Sequence, residues 1–232
     1  MSLKIFAISD THTKHDKLHI PECDILLHAG DFTGRGNEVE TYMFVNWLAS
    51  LEQVKHKVFI AGNHDFIMQK PEFIKNNDFK KLGINYLMDS SIEIEGTKIY
   101  GTPWTPYFYD WAFNGLEDEI GNEYPGGPGI STKPDKDHPH LLNVYSKIDP
   151  DADIVMCHGP CYNVLDRTLD GLNVGSKRLW EVVNYNKPYA FVSGHIHSGR
   201  GVRTVNGVTY YNVCNLNDDY IVSNPLPIQI SI

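Results

Sequence analysis

Five short polar motifs stand directly after hydrophobic runs: Asp10-Thr11-His12, Gly30-Asp31, Gly62-Asn63-His64-Asp65, His158-Gly159 and Gly194-His195-Ile196-His197. Asp10 and Asp31 offer carboxylates, Asn63 a carboxamide, and His12, His64, His158, His195 and His197 imidazoles. Oxygen and imidazole donors in this number suit two divalent cations held side by side with water still attached. Hydrolysis of a phosphate ester is the chemistry such a pair serves best. Charge points the same way. Asp10 and Asp31 follow apolar runs and are expected to be partly desolvated, and no Lys or Arg lies in the five motifs to pair with them. A buried, unpaired carboxylate costs several kcal/mol. Two divalent ions set against two aspartates and a bridging hydroxide leave about one positive charge, which favours an anionic phosphate and lowers the pKa of bound water towards ~7.

Something must bring these motifs together, and the hydrophobic patterning indicates what. Residues 3–9, 24–28, 57–61 and 84–88 read as buried strands. Residues 37–52 predict a helix capped by Asn37, with Val39, Met43, Trp47, Leu48 and Leu51 at helical spacing. A second helix is expected over 71–81, with Pro71 in its first turn. This alternation implies right-handed crossovers and a largely parallel sheet. Further along, 92–95 and 98–101 predict a hairpin across Gly96-Thr97, and 153–157 and 190–193 predict buried strands separated by a helix near 176–184. Asn206-Gly207 between 202–205 and 208–212 suits a hairpin with a type I′ turn.

The expected fold is α/β: a four-layer α-β-β-α sandwich of two mixed β-sheets flanked by helices, with all 232 residues in one domain. Each motif then lies at the carboxyl end of a strand, where ligands gather in α/β sheets. Residues two apart on a strand share a side. Asp10 with His12, and His195 with His197, are therefore each expected to reach a common centre.

The motifs also resemble those of the calcineurin-like metallophosphoesterases, whose pattern is D-x-H, G-D, G-N-H-[DE], a lone H and G-H-x-H. Every position is filled here, in order, between Asp10 and His197. Longer strings, His28-Ala29-Gly30-Asp31-Phe32-Thr33, Tyr100-Gly101-Thr102-Pro103-Trp104 and Asp110-Trp111-Ala112-Phe113-Asn114, are similar to a branch that includes cyclic-nucleotide phosphodiesterases. The resemblance implies that Asp10, His12 and His197 hold one metal, that Asp31 bridges, and that Asn63, His158 and His195 complete a second. It implies that His64 is catalytic, stabilising the transition state or protonating the leaving oxygen, while a metal-bridging hydroxide attacks phosphorus in line. Manganese is the metal the family suggests, although such a donor set also admits Fe²⁺, Zn²⁺, Co²⁺ and Ni²⁺. One departure stands out. Many relatives carry an aspartate three residues after that of G-D to orient the catalytic histidine, whereas Thr33 and Gly34 occupy that stretch here. Asp65 is the substitute at hand, but as the neighbour of His64 it can equally face away.

Bulk properties narrow the partners. A net charge of −9 disfavours a basic groove for duplex nucleic acid, while a small anionic phosphate ester remains compatible because bound metals dominate the local field. No apolar stretch suits a signal peptide or a membrane span. Cys23, Cys157, Cys161 and Cys214 are too sparse for a disulfide scaffold, and reduced thiols in the cytoplasm are the expectation. Trp104, Tyr107, Phe108, Tyr109, Trp111 and Phe113 form either a base-stacking wall or a packed loop, with Trp104 the best candidate for substrate contact. Arg35 either grips a phosphate oxygen or solvates its loop. Residues 121–140, rich in Gly and Pro, are expected to be a lid or a flexible insert. The sequence therefore predicts a dinuclear phosphodiesterase acting on small substrates such as cyclic nucleotides. A phosphomonoesterase is the alternative enzyme. A catalytically silent interaction module is the rival of another class, and it predicts eroded ligand positions.

Overall fold

The computed structural model describes residues 3–117 and 138–232, so most of the segment expected as a lid or insert, residues 121–137, lies outside the described residues. In chain order the strands are β1 (Ile5–Ile8), β2 (Cys23–Ala29), β3 (Val54–Ile60), β4 (Ile84–Tyr86), β5 (Ser90–Ile94), β6 (Thr97–Thr102), β7 (Thr105–Pro106), β8 (Asn114–Gly115), β9 (Ile154–Cys157), β10 (Ala190–Ser193), β11 (Gly201–Val205), β12 (Val208–Asn212) and β13 (Ile228–Ile230). The helices are α1 (Glu38–Ser50), α2 (Pro71–Asn76), α3 (Leu141–Tyr145) and α4 (Lys177–Asn186).

Two mixed sheets result. The first has the order β13-β1-β2-β3-β4, with β1 to β4 parallel and β13 antiparallel on the edge. The second runs β11-β12-β10-β9-β6-β5, with four parallel central strands and antiparallel hairpin partners at both edges. Alternation along each strand fixes the layers. Ile5, Ala7, Ile25, Leu27, Val58 and Ile60 from one sheet meet Ile99, Ile154, Met156, Ala190 and Val192 from the other in a buried inter-sheet core. Leu26 and Phe59 face outward under α1, and Val155 and Phe191 face outward under α3 and α4. The four-layer sandwich is as expected.

Three local expectations are corrected. On α1, Val39 and Met43 are 68% and 53% exposed, and the buried stripe is Thr41, Phe44, Val45 and Leu48. Both stripes have helical spacing, and Phe44 decides between them by stacking on Phe32 with ring centroids 4.2 Å apart. The helix expected over 71–81 stops at Asn76, whose successor Asn77 turns extended and returns its side-chain amide to the Phe73 carbonyl, followed by a separate 3₁₀ turn from Phe79 to Leu82. The β5–β6 turn is Glu95-Gly96, both at positive φ (51° and 78°), rather than Gly96-Thr97. Asn37 and Ser176 cap α1 and α4 through their side-chain oxygens, and the Asn206-Gly207 turn forms as read (φ 52° and 87°).

Candidate metal centre

All five motifs emerge from parallel strands, β1, β2 and β3 of one sheet and β9 and β10 of the other. Hydrogen bonding continues past the strand ends and holds the loops in register. Asp10 N donates to Gly30 O at 3.0 Å, and His12 N donates to Asp31 O at 3.1 Å. Two contacts tie the sheets across this edge. His158 Nδ1 meets Ala29 O at 2.8 Å, and His195 N meets both oxygens of Asp10 at 3.0 Å.

Convergence does not come from the pleat of a strand. Asp10, His12, Thr13, Asp31 and His195 all have positive φ, at 52°, 38°, 64°, 57° and 68°. Left-handed backbone costs a non-glycine residue about 1–2 kcal/mol, so this edge is strained, as functional loops often are. The turns aim Asp10 and His12 at one centre with His197, and bring Asp31, His158 and His195 to a second; in each group the ligand atoms lie within 4.8 Å of one another. His12, Asp31 and His64 form a third overlapping group. The expectation that His195 and His197 share a centre is therefore corrected. The His195 turn sends them to different groups, as the motif resemblance implies.

The imidazoles are oriented by backbone carbonyls. Nδ1 of His12, His64, His158 and His197 lies 2.8–3.0 Å from the carbonyl oxygens of Thr33, Gly34, Ala29 and Asn217, respectively. A carbonyl only accepts, so each Nδ1 donates and Nε2 is left for the site. His12 Nε2 is buried without a hydrogen-bond partner, which fits a metal ligand. The Asn63 Oδ1 lies 3.0 Å from His158 Nε2, adding an oxygen to the second group. This donor set fits divalent first-row ions.

Electrostatics reinforce the fit. Burial raises the Asp10 carboxyl, but a hydrogen bond from His197 and the charges of His158, His197 and His12 outweigh it and hold the carboxyl well below the usual range. Asp31 is likewise lowered, burial being overcome chiefly by His158. In return, burial opposes protonation of His158 and His197, yet Asp31 and Asp10 push both up to about 9. Burial lowers His12 to about 4 and His195 to about 3. Anionic carboxylates and neutral imidazoles are the forms that bind cations; Asp10, Asp31, His12 and His195 already hold those forms at neutral pH, while His158 and His197 would each release a proton to a bound ion.

Glycines in the motifs make room. A Cβ on Gly62 would sit 2.3 Å from Asp31 Oδ1, and one on Gly194 would sit 2.2 Å from Asp10 Oδ2. Asp65 faces away from His64. It is fully buried and accepts from Asp31 N (2.9 Å), Gly62 N (2.8 Å), Thr33 N (3.0 Å) and Thr33 Oγ1 (2.6 Å), lashing the β2 and β3 loops together. His64 is instead oriented by the Gly34 carbonyl.

A cavity of about 220 Å³ opens over Asp31, Asn63, His64, His195 and His197, walled by Phe108, Trp111, Val174 and Tyr220 among others. No Lys or Arg lines it among the described residues. The two residues expected to touch substrate are not in its walls. Arg35 is exposed. Trp104 packs edge-on against Phe113 at 5.8 Å and donates its indole N–H to Asp89 at 3.1 Å, so it lies half-buried against the core. Of that aromatic run, Trp111 and Phe108 reach the site. Tyr220, whose ring lies 4.8 Å from that of His12, escaped the sequence reading because no motif surrounds it.

A two-sheet α/β sandwich with clustered aspartates and histidines at one edge defines a metal-binding phosphoesterase class. The chain belongs to the calcineurin-like phosphoesterase family, whose sequence model matches residues 3–199. It is 34% identical over 254 aligned positions to the human metallophosphoesterase domain-containing protein 1, spanning 99% of this chain and 71% of that one, and the mouse protein matches equally. Among solved structures, the phosphopantetheinyl hydrolase of Mycobacterium tuberculosis shares the fold, with a TM-score of 0.62 at 15% identity over 98% of this chain and 95% of that one. The chain is thus a metal-dependent phosphoester hydrolase. None of its described helices is long and apolar enough to cross a membrane, and all four cysteines are free and buried.

Proposed function

We propose that the chain acts as one domain, a dinuclear phosphodiesterase on small diesters such as cyclic nucleotides. Asp10, His12 and His197 would hold one divalent ion, Asn63, His158 and His195 the other, and Asp31 would bridge them; Mn²⁺ is the ion the resemblance suggests. When bound, the ions supply Lewis-acid activation of water and neutralise charge on the phosphoryl oxygens. The protein's own part is positioning. Four backbone carbonyls anchor the imidazole Nδ1 atoms, Ser9 and Cys214 donate to the Asp10 carboxylate, and His64, its Nδ1–H tied to Gly34 O, would in its imidazolium form give the Nε2 proton to the departing oxygen. The free, buried thiols support a reducing compartment such as the cytoplasm.

The observation that carries the preference for diesters is the cavity wall. A dianionic monoester or a polyphosphate would want Arg or Lys on its outer oxygens, and these walls offer Phe108, Trp111, Val174 and Tyr220 instead. A monoanion with a flat or apolar substituent suits them better. The test is metal analysis followed by an assay panel of cyclic nucleotides, linear diesters and monoesters with added Mn²⁺, with His64→Ala as control. Two ions per chain and preferred turnover of diesters, lost in the variant, are expected. Turnover of monoesters alone would overturn the diester reading, a single ion per chain would overturn the dinuclear reading, and full metal occupancy without turnover would mark a silent module.

A further inference from the structure

The His64 ring is held by an arrangement that leaves one degree of freedom to be accounted for. Its Nδ1 donates to the Gly34 carbonyl at 3.0 Å. Its backbone N–H donates to Asp31 Oδ1 at 2.8 Å. These contacts anchor the backbone and one ring nitrogen. A single hydrogen bond to a carbonyl does not lock a ring plane, because acceptor geometry there is broad. Nδ1 can slide across the carbonyl lone pairs as χ1 and χ2 rock, and that motion swings Nε2 away.

Trp111 closes that freedom. Its indole stacks on the His64 imidazole with centroids 4.2 Å apart and planes 28° from parallel. His12 meets the same imidazole edge-on at 4.6 Å. Trp111 is itself tightly presented. β7 and β8 close the loop that carries it, and Asn114 spans the loop's interior, its side-chain nitrogen donating to the carbonyls of Phe108 (3.2 Å) and Tyr109 (2.9 Å). The next residue, Ala112, donates its backbone N–H to Asn63 O at 3.1 Å, pinning the aromatic loop to the residue before His64.

We infer that Trp111 is the positioning residue for His64: its stacked indole fixes the imidazole plane that the Gly34 carbonyl leaves free, and so holds Nε2 beside His12 and Asp31. The role of His64 as proton donor to the leaving oxygen rests on the function proposed above; the positioning itself does not. The tests separate the two.

The first test needs no turnover. Carbon-13 NMR of labelled histidine rings is recorded on the full chain with Zn²⁺, for the parent, Trp111→Leu and Trp111→Phe. A single ordered Nδ1–H tautomer for His64 is expected in the parent and in Trp111→Phe, and a broadened or mixed signal in Trp111→Leu, while His15 and His28 keep their parent shifts as a report on folding. Should the leucine variant not fold, Trp111→Met carries the same expectation. A His64 ring as ordered in the folded variant as in the parent overturns the inference.

The second test compares two diesters with Mn²⁺, one losing 4-nitrophenolate and the other an aliphatic alkoxide. Protonation matters most for the poorer leaving group, so Trp111→Leu should lower kcat about 10- to 100-fold on the alkoxide ester. On the nitrophenyl ester the loss should stay within about threefold, with KM within about twofold on both and most activity regained in Trp111→Phe. Equal losses on both esters, or a loss confined to KM, would make Trp111 a substrate contact and overturn the positioning role. If the parent turns over neither ester, the proposed function falls and the NMR result alone decides.

Discussion

Gly194→Ala adds one methyl group at the most crowded point of the metal centre, and its effect can be worked from distances. The new Cβ would lie 2.2 Å from Asp10 Oδ2, 2.4 Å from Ser9 Oγ and 2.8 Å from Ser9 Cβ. Carbon–oxygen contacts relax at about 3.3 Å, so the carboxylate or the Gly194 backbone must retreat by about 1 Å. Neither is free to do so. Asp10 is fully buried, and its Oδ2 receives hydrogen bonds from Ser9 Oγ at 2.5 Å and Cys214 Sγ at 3.0 Å. Gly194 donates its own N–H to His158 O at 3.0 Å, so backbone movement would disturb the second ligand group as well.

Overpacking of this kind destabilises by about 1–3 kcal/mol. A shift of about 1 Å in a positioned group costs activity on the order of 100-fold, and lost support of a ligand costs about 10- to 100-fold in metal affinity. The assay is competition between the protein and a chelator for Mn²⁺, read by elemental analysis, alongside urea unfolding of the metal-free chain. Gly201→Ala is the matched control. Its Cβ would meet nothing nearer than Leu165 Cδ2 at 3.6 Å, and a change within about 0.5 kcal/mol is expected there. If Gly194→Ala binds Mn²⁺ within about threefold of the parent, the reasoning from ligand displacement is refuted.

Three further outcomes are expected. Asp65→Ala strands three buried backbone N–H groups and a hydroxyl, so urea unfolding of the metal-free protein should show a loss of about 3–5 kcal/mol, and a loss below about 1 kcal/mol would contradict the lashing role. Burial lowers His15 to about 4 and His28 to about 3, both below the unfolded value of 6.5. The unfolded chain therefore binds more protons between those limits, and stability present above about pH 6.5 is lost as pH falls towards 4. His15→Leu should remove up to about 3 kcal/mol of that acid sensitivity, and an unchanged slope of stability against pH would argue that His15 is not buried as described. Trp104→Phe should leave KM unchanged and cost about 1 kcal/mol for the lost hydrogen bond to Asp89; a large rise in KM would return Trp104 to the substrate site.

The sequence was a good guide wherever a single periodicity or turn chemistry acted alone. The buried strands alternate so regularly that β10 and β12 match the expected residues 190–193 and 208–212. Asn37, Ser176 and Asn206-Gly207 place themselves through local hydrogen bonding or positive φ. What escaped depended on partners distant in sequence. On α1 two apolar stripes compete, and partners on or just after other strands, Phe32, His28 and Phe59, select the one with Phe44. β13 is three residues long, and its place beside β1 shows only once the sheet edge exists.

The site followed the same division. Donor types and their order were legible because metal chemistry restricts both, and Gly62 and Gly194 were legible as motif letters although their reason, the absence of space for a Cβ, needs coordinates. Their geometry differs from the pleat in one instructive respect. A pleat would put Asp10 with His12, and His195 with His197, on one side each; Asp10 and His12 do share a group, whereas His195 and His197 do not. The backbone leaves the β region at Asp10 and again at His195. Once φ is positive, spacing in sequence ceases to determine direction, and the next constraint is what each side chain bonds to. His197 is drawn to Asn217 O through Nδ1 and lies 3.4 Å from Asp10, while the ring of His195 packs on that of His158 at 5.1 Å. The strain that hides this arrangement from a periodicity argument is also what lets one four-residue motif reach two groups of ligand atoms.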